Sequence, residues 1–256
     1  MSDVSVIIPT YRERDNLARL LPSLFGMFSE AGLSGEVIVV DDDSGDGTEN
    51  LCLVLGTVKA VRLIVRRDER GLATAVVRGL SAANGEICVV MDADFSHPPD
   101  AVPKLVAAVR DGGCEMALGS RYVTGGAVDE NWSWFRRANS RVATLLARGL
   151  TSVADPMAGF FAIRREVLAR AGELRPLGYK IALELIVRCD CRRVVEVPIL
   201  FHDRAIGESK MTVRQQWLYL RHLGRLYGVR TRDAWLGLRR RSVLRPQFSA
   251  TDRRAA

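Results

Sequence analysis

Glu86-Ile87-Cys88-Val89-Val90-Met91, followed at once by Asp92-Ala93-Asp94, decides how this chain is read. The apolar run, bounded by Gly85 and by Pro98-Pro99, is a buried strand. Ending it in two carboxylates one residue apart sets two hard anionic ligands at a sheet's carboxyl edge, where open α/β folds bind ligands. Two bare carboxylates so close repel each other, so the pattern asks for a positive charge between them. Mg²⁺ typically uses one or two protein carboxylates plus substrate phosphates, which points to a metal-held diphosphate. The bland reading of the same tripeptide is a polar strand end, with Asp94 as a turn or N-cap residue before the prolines.

Working outward, short apolar runs alternate with helical patterns. Val4 to Pro9 is predicted as a strand. Asp15 is expected to cap a helix carrying Leu17, Leu20, Leu21, Leu24, Phe25 and Phe28 on one face and ending near Gly32, with Pro22 kinking it or marking a later start. Glu36 to Val40 and Ala60 to Val65 read as further strands, Leu72 to Ala83 as a helix. Pro99 opens another helix, and Met116 to Gly119 is a fifth strand. This order predicts an α/β fold with a mostly parallel sheet, Rossmann-like, covered by helices on both faces. After Ser120 the alternation loosens, and Tyr122 to Trp134 reads as a long mobile loop.

The 256 residues, 48% hydrophobic, suffice for one large domain. No signal peptide is expected, because Met1-Ser2-Asp3 runs straight into a strand, and the apolar stretch from Val142 to Ile163 is broken by Arg148 and Asp155. The expectation is a cytoplasmic protein, peripheral on the cytosolic face of a membrane. Five cysteines, an odd number with no C-x-x-C pair, read as reduced and mostly buried.

The net charge of +7 is uneven: ten arginines and two aspartates between Arg221 and Ala256 leave 27 basic and 28 acidic residues for the rest. Val213 to Gly228 wound as a helix puts Arg214, Arg221 and Arg225 on one stripe and Trp217, Leu220, Leu223, Leu226 and Tyr227 on the opposite arc. That layout suits a helix docked on a core or one lying in a membrane interface. Residues 1–228 are therefore assigned to a catalytic domain with a terminal amphipathic helix from about 213, and 229–256 to an Arg-rich tail. Arg239-Arg240-Arg241 beside Trp235, Leu236, Leu238, Val243 and Leu244 suits an anionic lipid surface. Nucleic acid is the rival partner, but no recognition motif for it is present.

Pro9-Thr10-Tyr11-Arg12-Glu13 follows the first strand, and Asp41-Asp42-Asp43-Ser44-Gly45-Asp46-Gly47-Thr48 the second. With Asp92 and Asp94, three strand ends would converge on one crevice and form a nucleotide site. A dinucleotide oxidoreductase is disfavoured, since Asn50 stands where the third glycine of G-x-G-x-x-G belongs and Asp41 to Asp43 would repel a pyrophosphate. A noncatalytic membrane-surface adaptor would leave the paired acids idle.

Those runs, together with Gly71-Leu72-Ala73-Thr74-Ala75, Asp92-Ala93-Asp94-x-Ser-His-Pro-Pro and Gly119-Ser120-Arg121-Tyr122, resemble the inverting GT-A glycosyltransferases of family 2. Asp155-Pro156-x-x-Gly159-Phe160-Phe161 and Arg204-x-x-Gly207-Glu208-Ser209-Lys210 narrow the resemblance to the polyprenyl-phosphate, or dolichol-phosphate, mannose synthase branch. It implies that GDP-mannose is the donor and a polyprenyl phosphate the acceptor, with Mg²⁺ or Mn²⁺ as cofactor. It implies that Pro9, Tyr11, Glu13, Val40 and Asp42 hold the nucleoside, that Asp92 and Asp94 hold the metal with Ala93 beside it, and that Arg204 and Lys210 close over the diphosphate. Arg121, Arg136 and Ser140 would take the acceptor's phosphate. A sister activity, polyprenyl-phosphate glucosyl or aminosugar transfer from a UDP-sugar, uses the same frame.

The sequence departs from the branch in places. Ser96 stands where some relatives place a metal-binding glutamine, Met157-Ala158 replaces Thr-Ser, and the carboxy-terminal membrane helices of many relatives have no counterpart here. The tail or a membrane-bound partner would then bring the enzyme to its lipid. A phosphate monoester is already largely ionised at neutral pH, with a second pKa of about 6, so no general base is expected. His97, His202 and His222 are read as structural.

Overall fold

The computed structural model describes residues 2–128, 134–172, 174, 180–201 and 213–235. Nine strands are named in chain order: β1 (Val4–Thr10), β2 (Gly35–Asp41), β3 (Val61–Val65), β4 (Ile87–Val90), β5 (Met116–Ser120), β6 (Ala127–Val128), β7 (Phe161–Arg164), β8 (Val194–Pro198) and β9 (Leu200–Phe201). The helices are α1 (Arg14–Glu30), α2 (Thr48–Gly56), α3 (Leu72–Ala82), α4 (Val102–Arg110), α5 (Trp134–Ala147), α6 (Arg165–Leu168), α7 (Ile181–Arg188) and α8 (Val213–Trp235).

The main sheet has seven strands in the order β3-β2-β1-β4-β7-β5-β8. All its pairings are parallel except those of β7, which runs antiparallel to both β4 and β5. The chain builds β1, β2 and β3 outward in one direction, then returns to lay β4 on the other side of β1. The sheet therefore switches direction between β1 and β4, and a crevice opens there at the carboxyl ends. β6 and β9 form a separate parallel pair, so the stretch expected as a long loop from Tyr122 contains a short strand.

Side chains alternate across the sheet as strand geometry requires. Val4, Val6 and Ile8 face a core shared with Leu17, Leu20, Leu21 and Leu24 of α1 and Leu105 of α4, whereas Ile7 faces Val76 and Leu80 of α3 and Leu185 of α7. Both faces of β1 are thus dry, which is why it reads as a continuous apolar run. α3 lies close on β1 through Gly79: a Cβ there would sit 2.4 Å from Ile7 Cγ2. The five cysteines are free and buried, and burial pushes the Cys52 and Cys88 thiols up to about 11 and about 12.

Two local expectations are corrected. α1 runs unbroken from Arg14 through Pro22, which lies on its exposed face, so the proline marks no later start. Asp15 sits inside the first turn rather than at the N-cap, which is Glu13; the Arg14 N–H instead donates to Asp46 Oδ2, at 3.1 Å. Asp46 also accepts the Thr48 N–H at 3.0 Å, so one carboxylate holds the first turns of α1 and α2. Burial alone would raise its pKa, but the hydrogen bonds from Thr48 and Arg14 outweigh burial and hold it below the ordinary range.

The expected terminal helix is α8, which continues to Trp235. Its apolar arc is split: Leu223 and Leu226 pack with Leu183 and Val187 of α7, while Trp217 and Leu220 are exposed at 58% and 55%. His222, also buried, lies 3.9 Å from Glu184, which pairs with Arg188 at 2.8 Å. Burial first, then the charges of Arg225 and Arg188, depress His222 to about 4. Since the unfolded chain takes this proton near pH 6.5, the neutral form's stability is present above 6.5 and lost as pH falls through 4, by about 3 kcal/mol. Denaturant titrations at pH 7 and pH 4 should show this loss reduced in His222→Gln; an identical loss in the variant would mean other groups carry it.

Candidate active site

The three loops at the carboxyl ends of β1, β2 and β4 meet at the switch point. Each contains a non-glycine residue in the left-handed region: Arg12 (φ 62°), Asp43 (φ 55°) and Phe95 (φ 61°). Such backbone persists only where its surroundings over-determine it, and it clusters at functional sites. Here the first two loops are tied together: Arg12 N–H donates to Ser44 Oγ at 2.7 Å, Ser44 donates to Asp41 at 2.5 Å, and Thr10 Oγ1 donates to Asp41 at 3.1 Å.

On the β1–β2 side of the crevice, Pro9 and Val40 are register partners. Tyr11, 44% exposed, is flanked by the guanidinium groups of Arg12 and Arg70, each 5.3 Å from its ring centre. Glu13 accepts a hydrogen bond from Asn16 at 2.6 Å. Asp42 is deeply engaged: Arg66 donates to its Oδ1 from Nε at 2.7 Å and also from Nη2, and Gly71 N–H donates to its Oδ2 at 2.7 Å. Arg66 further donates to Thr74 Oγ1 at 2.8 Å and to the Gly71 carbonyl at 2.9 Å. Sequence reading missed Arg66. Its only signal was a basic pair directly after a strand, and its carboxylate lies 24 residues away.

Asp92 and Asp94, both partly buried, flank buried Ala93 just past β4. Asp92 N–H donates to His97 Nδ1 at 2.9 Å, which fixes the neutral Nε2–H tautomer and turns the loop back on itself. His97 also stacks on Phe160 at 5.1 Å, and so braces the carboxylate turn. Asp94 accepts the Ser96 N–H at 3.0 Å. The Ser96 hydroxyl is buried with no hydrogen-bond partner, a polar oxygen left over beside two carboxylates. The donor set is all hard oxygen, which fits Mg²⁺ or Mn²⁺.

β7 brings in the other side of the crevice. Being antiparallel, it presents its amino end where β4 and β5 present their carboxyl ends, so the loop holding Asp155 enters at the same edge. Arg121, at the end of β5, donates to Asp155 from Nε at 2.7 Å and Nη2 at 2.8 Å, and Asp155 is fully buried. Glu196 in turn accepts the N–H groups of Ala154 and Asp155 at 2.7 and 2.9 Å. Tyr122 Oη donates to Ser140 Oγ at 2.8 Å, placing α5 beside Arg121. The Phe201 ring lies 5.3 Å from the Arg121 guanidinium and 5.8 Å from the His97 ring, so one aromatic side chain separates the carboxylate turn from Arg121. Lys180, preceding α7, lies in the field of Arg121 and Asp155; desolvation first and the Arg121 charge second pull its ammonium down to about 7.

Structure thus brings Pro9, Tyr11, Glu13, Val40, Asp42, Asp92, Ala93, Asp94, Arg121 and Ser140 to one sheet edge. Arg136 belongs to the first turn of α5, with its side chain outside the described residues, where Arg204, Lys210 and His202 also fall. Asp155, Glu196 and Lys180 are contributors that were given no role from sequence.

A family model described as glycosyl transferase family 2 matches residues 5–172. The dolichol-phosphate mannosyltransferase of Pyrococcus furiosus is 44% identical over 227 residues, covering 87% of this chain and 63% of that protein. The chain therefore spans less than two thirds of that relative's length. The Saccharomyces cerevisiae protein of the same name is 40% identical over 234 residues, covering 88% and 87%. The polyprenol monophosphomannose synthase of Mycolicibacterium smegmatis is 39% identical over 218 residues, covering 81% and 80%. Among solved structures, glucosyl-3-phosphoglycerate synthase of Mycobacterium tuberculosis with Mn²⁺, UDP and product superposes with a TM-score of 0.62 at 21% identity, covering 88% and 78%. That likeness supports the fold.

Proposed function

The chain belongs to glycosyltransferase family 2, and from that premise we propose that it transfers mannose, with inversion, from GDP-mannose to a polyprenyl phosphate. The observation that carries this reading is the carboxylate turn set one aromatic ring away from a guanidinium oriented by a buried aspartate. The first suits a donor diphosphate, the second an anionic acceptor. The names of the relatives supply mannose and the lipid phosphate, and the sequence resemblance supplies GDP.

In this reading Pro9, Tyr11, Glu13, Val40 and Asp42 hold the nucleoside, and Arg66 keeps Asp42 oriented. Asp92 and Asp94 would hold Mg²⁺ or Mn²⁺, which neutralises charge on the departing diphosphate. Arg204 and Lys210 are assigned the same phosphates. Arg121, with Arg136 and Ser140, would hold the acceptor phosphate so that one oxygen faces the anomeric carbon. That oxygen's lone pair forms the new C–O bond while the bond to the diphosphate breaks and its electrons leave with GDP. The dianionic phosphate has no proton to lose, so positioning and charge stabilisation suffice.

Membrane-surface contact through α5, α8 and the Arg-rich segment 229–256 is part of the proposal. Val142, Leu145 and Leu146 of α5 are exposed, as are Trp217 and Leu220 of α8, and Tyr227 Oη of α8 donates to the Leu146 carbonyl at 2.8 Å, joining the two helices. Among the described residues no helix is long and apolar enough to cross a membrane.

The test is transfer of labelled sugar from a panel of nucleotide sugars to a short polyprenyl phosphate, with Mn²⁺ or Mg²⁺ and with EDTA. Product from GDP-mannose that disappears with EDTA is expected. Product from a UDP-sugar instead would overturn the donor assignment, and lipid binding without any turnover would favour an adaptor.

A further inference from the structure

α5 is lightly held. Among its described residues only Ala143 and Ala147 join a hydrophobic cluster, the one they share with Leu223 and Leu226 of α8, and Val142, Leu145 and Leu146 are exposed. A helix with so little apolar packing takes its position from polar ties. Those ties reach α5 from two directions. Tyr122, next to Arg121, donates to Ser140 Oγ at 2.8 Å. From α8, Tyr219 Oη donates to the Ala143 carbonyl at 2.6 Å, Tyr227 Oη to the Leu146 carbonyl at 2.8 Å, and Arg230 to the Leu150 carbonyl just past the helix.

The last carbonyls of a helix lack intrahelical partners. The Leu150 N–H, which the helical repeat would bring to Leu146, donates to the Ala147 carbonyl instead, at 2.8 Å. Tyr227 takes its place, and the chain leaves room for it: a Cβ on Gly149 would lie 2.3 Å from Tyr227 Oη. α8 is itself seated on α7, where Leu223 and Leu226 pack with Leu183 and Val187 and His222 is buried.

We infer that Tyr219 and Tyr227 are positioning residues for acceptor recognition: from α8 they fix α5, and with it Arg136 and Ser140, against Arg121. This rests on the polyprenyl-phosphate reading above, in which α5 carries two of the acceptor's contacts. Ser140 precedes Ala143 by about 4.5 Å along the helix axis, so the tie at that carbonyl controls it directly. Residues assigned to the nucleoside and metal stand at the ends of β1, β2 and β4 and do not depend on these ties.

Tyr219→Phe, Tyr227→Phe and the double variant keep the rings and remove the hydroxyls, whereas Gly149→Ala displaces Tyr227 with α8 unaltered. Each is assayed beside wild type with GDP-mannose and a water-soluble isoprenyl phosphate varied separately, without a bilayer, so that membrane contact plays no part. The double variant should raise the acceptor KM about 5- to 20-fold, with the donor KM within about twofold. Gly149→Ala should show the same split.

A role confined to stability would lower the urea midpoint and leave both KM values alone, which would overturn the inference with the transferase reading intact. An equal rise in both KM values would overturn it as well. Should the double variant not fold, the single variants and Gly149→Ala decide by the same criterion. No wild-type transfer to any polyprenyl phosphate would defeat the function and this inference together.

Discussion

Alanine at Asp92 or at Asp94 is expected to lower sugar transfer by about 10³-fold with the fold retained. Each change removes one of only two carboxylates on the β4 turn, and among the described residues no group of three metal-binding side chains stands in reserve. The fold should survive because the hydrogen bond that braces the turn runs from the Asp92 backbone to His97, not from its side chain. Asp94→Ala also loses the contact to the Ser96 N–H, worth about 1 kcal/mol. Initial rates at saturating metal, with circular dichroism as the control, measure the effect. Turnover within tenfold of wild type in both variants would sink the metal assignment.

Asp42→Ala should cost about 3 kcal/mol of stability, because it leaves the Arg66 guanidinium, whose side chain is only 6% exposed, with the more distant and 60% exposed Glu69 at 3.4 Å as its remaining carboxylate. The strap from Gly71 to Thr74 should loosen with it, since Gly71 N–H and Thr74 Oγ1 are fixed through the same pair. The double variant Asp42→Ala/Arg66→Ala should regain part of the stability, having no buried guanidinium left with only an exposed partner, yet bind donor as poorly as the single variant. Urea midpoints and donor KM values separate the two effects. A loss under about 1 kcal/mol in Asp42→Ala would show that water reaches the pair and that it is not a buried bridge.

Much of this was legible in the chain. β1, β2 and β4 announce themselves because strands dry on both faces must be apolar throughout, and the acids that follow them stand out by contrast. What escaped has a common cause. Arg66 meets Asp42, Arg121 meets Asp155, and Asp92 N–H finds His97 through backbone turns and sheet order, none of which leaves a spacing pattern. α2 was hidden because its start, Thr48, closes the acidic run that drew attention to the site. β7 is four residues long, and nothing in Phe161–Arg164 tells its direction. In α8 the period of apolar residues was read correctly, but one arc served two surroundings: α7 beneath Leu223 and Leu226, and solvent around Trp217 and Leu220.

The reversed direction of β7 also divides the molecule's labour along its sequence. Most residues that would grip the donor come from β1, β2 and β4, before the reversal, with Arg204 and Lys210 after it; those that would grip the acceptor, Arg121, Arg136 and Ser140, with Asp155 behind Arg121, come after β4. Recombination near residue 115, in the turn leading into β5, would therefore exchange the acceptor residues as a block and keep those assigned to the nucleoside and metal, with Arg204 and Lys210 the donor contacts that the incoming half must supply again. A lineage could acquire new acceptors by replacing its latter half while its commitment to one nucleoside stayed frozen in the first.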